Sequence, residues 1–202
     1  EELVRAMNQH GNLAVGVNGA DAGTIVAEQV RPELGRVGSV IEVNPAYLKS
    51  LINAAYVPII ASVGKGEDGG SFNINADAVA CAVAGAIGAQ KIIFLTDVDG
   101  FYEDFDDKDS LVSRMSLQET RDMLAEGRVS KGMIPKLQSC VLALEAGVHR
   151  AHIINGTMPH SLLIELLTQV GCGTLIYNDD EHNTKDEYAP LGLLASRLVE
   201  NL

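Results

Sequence analysis

Short runs rich in Val, Ile and Leu alternate with longer stretches of helical periodicity, and this alternation restricts the fold more than any single motif does. The strand-like runs are residues 12–17, 24–29, 37–43, 57–63, 91–98, 150–155 and 173–177. Several are nearly continuous in apolar residues, the pattern of strands covered on both faces. The helical stretches are residues 2–9, 45–55, 75–89, 117–126, 135–146 and 161–170. Asn44 before Pro45 reads as a helix start, and Ser116 with Glu119 reads as a capping box. Gly88, Gly127, Gly147 and Gly171 fall where helices should stop. Strands interleaved with helices predict an α/β fold, a three-layer sandwich with a mostly parallel central sheet.

The chain has 202 residues, of which 47% are apolar and 21% charged. That is ordinary globular composition and excludes a disordered chain, a coiled coil and a collagen. The apolar runs are far shorter than the roughly 18 residues needed to cross a bilayer, and no basic, apolar leader opens the sequence. No membrane association is expected. Fifteen basic against 27 acidic residues give a net charge of −12. A field of that sign repels phosphodiester backbones and anionic lipid, so nucleic acid is not an expected partner. Cys81, Cys140 and Cys172 are odd in number and lack a C-x-x-C spacing. A reduced, cytoplasmic setting fits them best.

Four segments carry polar patterns worth weighing. Gly64-Lys65-Gly66-Glu67-Asp68-Gly69 has the letters of a dinucleotide fingerprint. However, no helix opens directly after it and it holds two acids, so a glycine-rich hairpin or flap is the expectation. In Asn73-Ile74-Asn75-Ala76-Asp77, Asn75 suits an N-cap and Asp77 a first helical turn. Asn73 is left over, beside a helix N-terminus suited to a small carboxylate. In Lys131-Gly132-Met133-Ile134-Pro135-Lys136, a cation in a first turn is disfavoured by the helix dipole, which points to an anionic partner for Lys136. An exposed lysine is the plain alternative. Leu95-Thr96-Asp97-Val98-Asp99-Gly100 ends a buried strand, where ligands of open α/β sheets bind. Asp97 and Asp99 there either meet ribose hydroxyls or make a turn. The segment does not complete a calcium loop. His149 and His152, three apart in an expected strand, point to opposite faces and suggest no metal site. Residues 103–109 read as a solvated acidic loop, and 179–202 as a polar loop plus a short terminal helix.

Taken in order, Ala14-Val15-Gly16-Val17-Asn18-Gly19, residues 72–77, 94–100, 132–136, His152-Ile153-Ile154-Asn155-Gly156, the Pro159-His160-Ser161-Leu162-Leu163-Ile164-Glu165 run and Gly171-Cys172-Gly173-Thr174 resemble the amino-acid kinase family. The resemblance is strongest to its branch that phosphorylates N-acetyl-L-glutamate in arginine biosynthesis. It implies a phosphotransferase that moves the γ-phosphoryl group of ATP, with Mg2+ on the nucleotide, to the substrate's side-chain carboxylate. By matching, Lys136 would stabilise the transferring phosphoryl group and Asp77 would hold catalytic lysines in place. Asn73 would bind N-acetyl-L-glutamate, while Asp97, Val98, Asp99, Gly100, Phe101, Tyr102, Arg128, Val129 and Ser130 would line the ATP site. No residue is assigned to a metal.

His152, Glu165 and Gly171 match the pattern of members inhibited by L-arginine, with Glu165 facing the guanidinium. The plain alternative puts Ser161, Glu165, Thr168 and Gln169 in a solvent-facing polar stripe of a Leu-rich helix. The resemblance implies a homodimer through a shared central sheet, or a trimer of such dimers. It also implies three parts: residues 1–94 as the remainder of a substrate lobe, 95–178 as an ATP lobe, and 179–202 as a tail. The family usually begins with a strand bearing a catalytic lysine and a glycine-rich loop that have no match here, and Ala20 stands where a lysine is common. The N-terminal part of the fold is therefore expected to be missing, and this chain alone inactive or nearly so. Two other readings stay open: a non-catalytic ATP- or arginine-sensing module, and a kinase for another acid such as aspartate, glutamate or carbamate.

Overall fold

The structure is a computed structural model that describes residues 1–168 and 171–178. The chain divides into two compact units, Glu1–Ala89 and Gln90–Leu202.

In the first unit, α1 (Glu2–Asn8) leads into β1 (Ala14–Asn18), which runs parallel to β4 (Val57–Ala61). Asn8 ties the helix to the strand: its amide donates to the Ala14 carbonyl at 3.0 Å and its oxygen accepts from the Ala14 N–H at 2.7 Å. A second set of strands, β2 (Ile25–Gln29), β3 (Val37–Val43), β5 (Val63–Lys65) and β6 (Ser71–Ile74), closes into a small barrel in the order β2-β3-β6-β5. Helices α2 (Ala46–Asn53) and α3 (Ala76–Ile87) pack on β4 and β3. Ile25, Ala27, Leu48, Phe72 and Ile74 form the core with Val79 and Val83 of α3. Full burial of each large aliphatic side chain is worth about 1.5–3 kcal/mol.

The second unit holds one four-stranded sheet in the order β7-β9-β10-β8, made of β7 (Lys91–Thr96), β9 (Arg150–Asn155), β10 (Thr174–Tyr177) and β8 (Arg114–Ser116). β7 is parallel to β9 and β8 to β10, while β9 and β10 are antiparallel. Helices α5 (Ile134–Glu145) and α6 (Ser161–Leu167) both pack on β9, and all of Arg150 to Ile154 is buried. The α/β character and the parallel pairs agree with the strand–helix alternation.

The boundary signals act as their chemistry predicts. Ser116 and Glu119 form a reciprocal capping box at the start of α4 (Leu117–Ala125), the Ser116 hydroxyl accepting from the Glu119 N–H at 3.1 Å and the Glu119 carboxylate from the Ser116 N–H at 2.7 Å. Asn75 caps α3, and Gly88 ends it in the left-handed region at φ 74°. Asn44 accepts from the Ala46 N–H at 3.1 Å, so it serves the start of α2 from one position outside the expected cap.

Four differences from expectation have local causes. The 57–63 run is two strands, because the chain passes from β4 to β5 at Ser62. β6 and β8 have only four and three residues, too short to show a period. β7 stops at Thr96 rather than 98, because the Thr96 hydroxyl donates to the Val98 carbonyl at 2.7 Å and folds the chain over. His149 precedes β9 and is exposed, so the opposite-face argument for the two histidines does not apply. The terminal helix expected within 179–202, and Gln169 and Val170 at the end of the 161–170 helix, lie outside the described residues.

Candidate functional site: a cavity beyond the end of β7

The fingerprint-like glycine segment is a hairpin. β5 and β6 are antiparallel, with Gly66 N–H donating to the Gly70 carbonyl at 2.8 Å across the turn. Arg36 clamps it by donating to Asp68 at 2.7 Å while lying over the Phe72 ring at 5.1 Å. These hydrogen bonds, from the Gly70 N–H and from Arg36, hold the exposed Asp68 carboxyl below its ordinary range. A closed hairpin aims no helix N-terminus at a pyrophosphate, which removes the dinucleotide reading.

The second unit has a cavity of about 440 Å³ where the chain leaves β7. Two segments supply its walls. The first runs from Thr96 to Phe105 and brings Asp97, Val98, Gly100, Phe101, Tyr102 and Phe105. Its course is set by Thr174 of β10, whose hydroxyl accepts from the Phe101 N–H at 2.8 Å and donates to the Val112 carbonyl at 2.7 Å. Gly100 is required at this crossing: a Cβ there would stand 2.5 Å from the Thr174 Oγ1. Asp99 is the hub of the loop. Asn155 donates to one of its oxygens at 2.9 Å and the Tyr102 hydroxyl to the other at 2.8 Å. Those two bonds, the Asn155 one foremost, hold the Asp99 carboxyl below its usual range, and burial with the same bond pushes the Tyr102 phenol up.

The second segment lies between α4 and the first turn of α5. It contributes Arg128, Ser130, Gly132, Met133 and Lys136. The Ser130 carbonyl accepts from the Met133 and Ile134 N–H groups at 2.9 and 3.1 Å, which sets the entry into α5. Lys136 therefore stands in the first turn of a helix, where backbone N–H groups and the dipole favour an anion. A wall of Val98, Phe101, Tyr102 and Phe105 joined to a segment bearing Arg128 and Lys136 presents an apolar, aromatic surface together with a cationic one.

Of the residues expected around ATP, Asp97, Val98, Gly100, Phe101, Tyr102, Arg128 and Ser130 line this cavity, and Lys136 joins them. Asp99 and Val129 are not lining residues. Asp99 instead supports Tyr102, and Val129 is buried at 7% exposure. Glu103, Phe105, Gly132 and Met133 also line it. Phe105 was hidden in an acidic stretch that reads as solvated loop, with only its isolated aromatic character as a signal. Asn73, exposed on β6, and Asp77, in the first turn of α3, belong to the first unit. The Asn75 side chain accepts from the Asp77 and Ala78 N–H groups, so Asp77 is not itself the cap.

His152, Glu165 and Gly171 do come together. His152 Nδ1 and Glu165 Oε1 are 2.6 Å apart, with side chains only 7% and 5% exposed. Glu165 Oε2 accepts from the Cys172 N–H at 2.8 Å and the Gly173 N–H at 3.2 Å. Burial alone pushes the Glu165 carboxyl up, but His152 and the two amides outweigh it and hold it below its ordinary value. The expected solvent-facing polar stripe is therefore corrected at Ser161 and Glu165, while Thr168 is exposed and Gln169 lies outside the described residues. Ser161 and Glu165 face inward, and Leu162, Leu163 and Leu167 stand 42%, 54% and 44% exposed. The His152 ring nitrogen at 2.6 Å and two amide donors offset the cost of burying Glu165, which helical periodicity cannot foresee.

No helix among the described residues is long and apolar enough to cross a membrane. Among those residues no group of three or more His, Cys, Asp or Glu side chains could hold a metal ion. None of the three cysteines is in a disulfide, and burial with the Asp77 charge pushes the Cys81 thiol up to about 11.

The sequence pattern of the amino acid kinase family matches residues 1–155. An acetylglutamate kinase of Caldanaerobacter subterraneus subsp. tengcongensis is 45% identical over 186 residues, covering 89% of this chain and 62% of that protein. One from Symbiobacterium thermophilum is 47% identical over 184 residues, covering 87% of this chain and 63% of that protein. The chain thus spans a little under two thirds of the length of the curated relatives it matches. Among solved structures, N-acetylglutamate synthase from Neisseria gonorrhoeae, complexed with coenzyme A and N-acetyl-glutamate, superposes with a TM-score of 0.72. It is 26% identical over 87% of this chain and 41% of that one. With the α/β architecture, the cavity beyond β7 and a family pattern running through most of its length, the chain belongs to the amino acid kinase family.

Proposed function

We propose that the natural gene product containing these residues is an acetylglutamate kinase. It transfers the γ-phosphoryl group of ATP to the side-chain carboxylate of N-acetyl-L-glutamate, a step of arginine biosynthesis. The observation that carries this reading is the cavity beyond β7, where residues expected around ATP meet Lys136 in the first turn of α5. Curated relatives of that name at 45% and 47% identity support it.

The substrate carboxylate is already a nucleophile, so the reaction needs no general base. A carboxylate oxygen attacks the γ-phosphorus, the bond to the β,γ-bridging oxygen breaks, and ADP leaves with the electron pair. Catalysis is then positioning and charge stabilisation. Lys136 offsets charge on the transferring group, aided by the N-terminus of α5. Asp77 is a positioning residue and Asn73 a substrate-binding one in this reading. Mg2+ arrives on the nucleotide and neutralises phosphate charge. Asp97 and Glu103, the carboxylates among the lining residues, suit a cation held mainly by phosphates.

L-Arginine as inhibitor belongs to the same proposal and draws on the cluster of His152, Glu165 and Gly171. An activity curve flat into the millimolar range of arginine would remove it. A cytoplasmic location and a homodimer, or a trimer of dimers, complete the reading.

The primary test incubates the gene product with MgATP and N-acetyl-L-glutamate and traps acyl phosphate with hydroxylamine. Hydroxamate that depends on both substrates is expected. ATP binding without hydroxamate would point to a sensor or to a kinase for another acid.

A further inference from the structure

In the first unit, the clamp on the hairpin of residues 64–70 reaches further than the turn it closes. Asn73 is exposed on β6, and its N–H donates to the Arg36 carbonyl at 2.8 Å. β6 pairs there with two strands, Asn73 standing opposite Val37 of β3 and Val63 of β5. The Arg36 side chain holds the other end of the same hairpin. It donates to Asp68 at 2.7 Å and lies 5.1 Å from the ring centroid of Phe72, the residue before Asn73. Asp68 in turn accepts from the Gly70 N–H at 2.9 Å, and a Cβ on Gly70 would stand 2.9 Å from the Arg36 Nη1. One residue thus fixes β6 from the turn at Asp68 to the backbone of Asn73. The Arg36 and Asp68 side chains are 58% and 53% exposed, and an ion pair so open to solvent adds little to global stability. What it does set is the position of the strand that carries Asn73.

We propose that Arg36 is a positioning residue for the carboxylate substrate. By clamping Asp68 and Phe72 while its carbonyl holds the Asn73 N–H, it keeps the Asn73 carboxamide placed to bind N-acetyl-L-glutamate. The proposal rests on the kinase reading above, in which Asn73 binds that substrate, and deepens it. The clamp is closed before the substrate arrives. Binding energy is then not spent on ordering β6, the ordinary gain from preorganisation. When the clamp is cut, the substrate must supply that ordering, and the loss appears in its affinity and not in the chemical step.

The test measures kcat and both KM values of the gene product by hydroxamate formation. Arg36→Met is expected to raise KM for N-acetyl-L-glutamate about fivefold, the scale of one exposed ion pair and one exposed cation–π contact together. kcat and KM for MgATP should not change, and Tm should fall by less than about 4 °C. Asp68→Asn breaks the pair from its other side and should raise the same KM about twofold, since the ring contact stays. The double variant should be no worse than Arg36→Met alone, because the two changes remove one shared interaction. Arg36→Lys keeps a cation for the carboxylate and the ring and should restore most of the affinity.

An unchanged KM for N-acetyl-L-glutamate in Arg36→Met overturns the positioning role while leaving the kinase reading intact. So does a lower kcat at unchanged KM, which would mark Arg36 as merely structural through a reduced active fraction. A large rise in Arg36→Met with none in Asp68→Asn likewise overturns it, because Arg36 would then touch the substrate itself. If the unsubstituted gene product forms no hydroxamate from N-acetyl-L-glutamate, the kinase reading fails and the positioning role falls with it.

Discussion

Among the described residues of the second unit, two carboxylates, Asp99 and Glu165, are each held by more than one donor, and their surroundings set them to different tasks. Asp99 is partly buried and takes its hydrogen bonds from neutral groups, Asn155 and Tyr102. Glu165 is almost wholly buried and faces a histidine at 2.6 Å as well as two backbone amides. The first carboxylate shapes the wall of an open cavity. The second fastens α6 to β9 and to the turn before β10. A carboxylate near solvent held by neutral donors can lose a partner and rearrange. One buried against a histidine and two amides leaves uncompensated groups behind if it is removed. Changes around the cavity should therefore be read in binding and turnover, and changes around Glu165 in stability.

The largest expected effect lies at the cavity. Lys136→Met should lower kcat of the gene product by about 10³-fold, the scale of losing one charge-stabilising group at a reacting centre. A loss under tenfold would remove Lys136 from phosphoryl transfer. Next is Glu165→Ala, which should cost about 3 kcal/mol and lower Tm by roughly 6–12 °C. Calorimetry showing a shift under 2 °C would break the contrast between the two carboxylates. Gly171→Ala should cost about 2 kcal/mol, because φ is +70° and the added Cβ would stand 2.6 Å from Glu165 Oε2. Asn155→Ala should cost only about 1 kcal/mol while weakening MgATP binding through Asp99 and Tyr102. The opposite order, a large stability loss with unchanged binding, would put Asn155 with the Glu165 group instead.

The smallest effect is a dependence on pH. The Glu165 carboxyl lies below its ordinary 4.5, so its contribution is fully present above that pH. It is lost as pH falls below 4.5 toward the folded value. Asp99 behaves alike, starting only below its ordinary 3.8. The stability difference between the unsubstituted protein and Glu165→Gln should accordingly shrink on acidification from pH 4.5, before any change traceable to Asp99. A difference constant from pH 6 to pH 3 would deny the depressed carboxyl.

Helices were legible because their signals are local. The capping box at Ser116, the cap at Asn75 and the left-handed stop at Gly88 each depend on groups a few residues apart. The longer strands showed as apolar runs, whereas β6 and β8 are shorter than any period. The cavity was legible in part. Asp97, Gly100 and Lys136 stand at a strand end and a helix start, positions whose chemistry follows from the backbone. Phe105 was not, since it stands in an otherwise acidic loop and Tyr102 and Lys108 come against it only in the folded chain. The inward turn of Glu165 was not either, because its partner His152 lies on another element and helical periodicity assigns a glutamate to solvent.

By itself the sequence determined the α/β class, the succession of helices and strands, the hairpin at residues 64–70 and the family, since each follows from local periodicity, local hydrogen bonding or motif order. Only the tertiary structure decided that Asp99 supports rather than lines the cavity, that Phe105 belongs to its wall, and that Glu165 is buried. The physical reason is the same each time. The energy of a buried or half-buried polar group depends on partners brought from distant positions, and those partners exist only once the chain has folded.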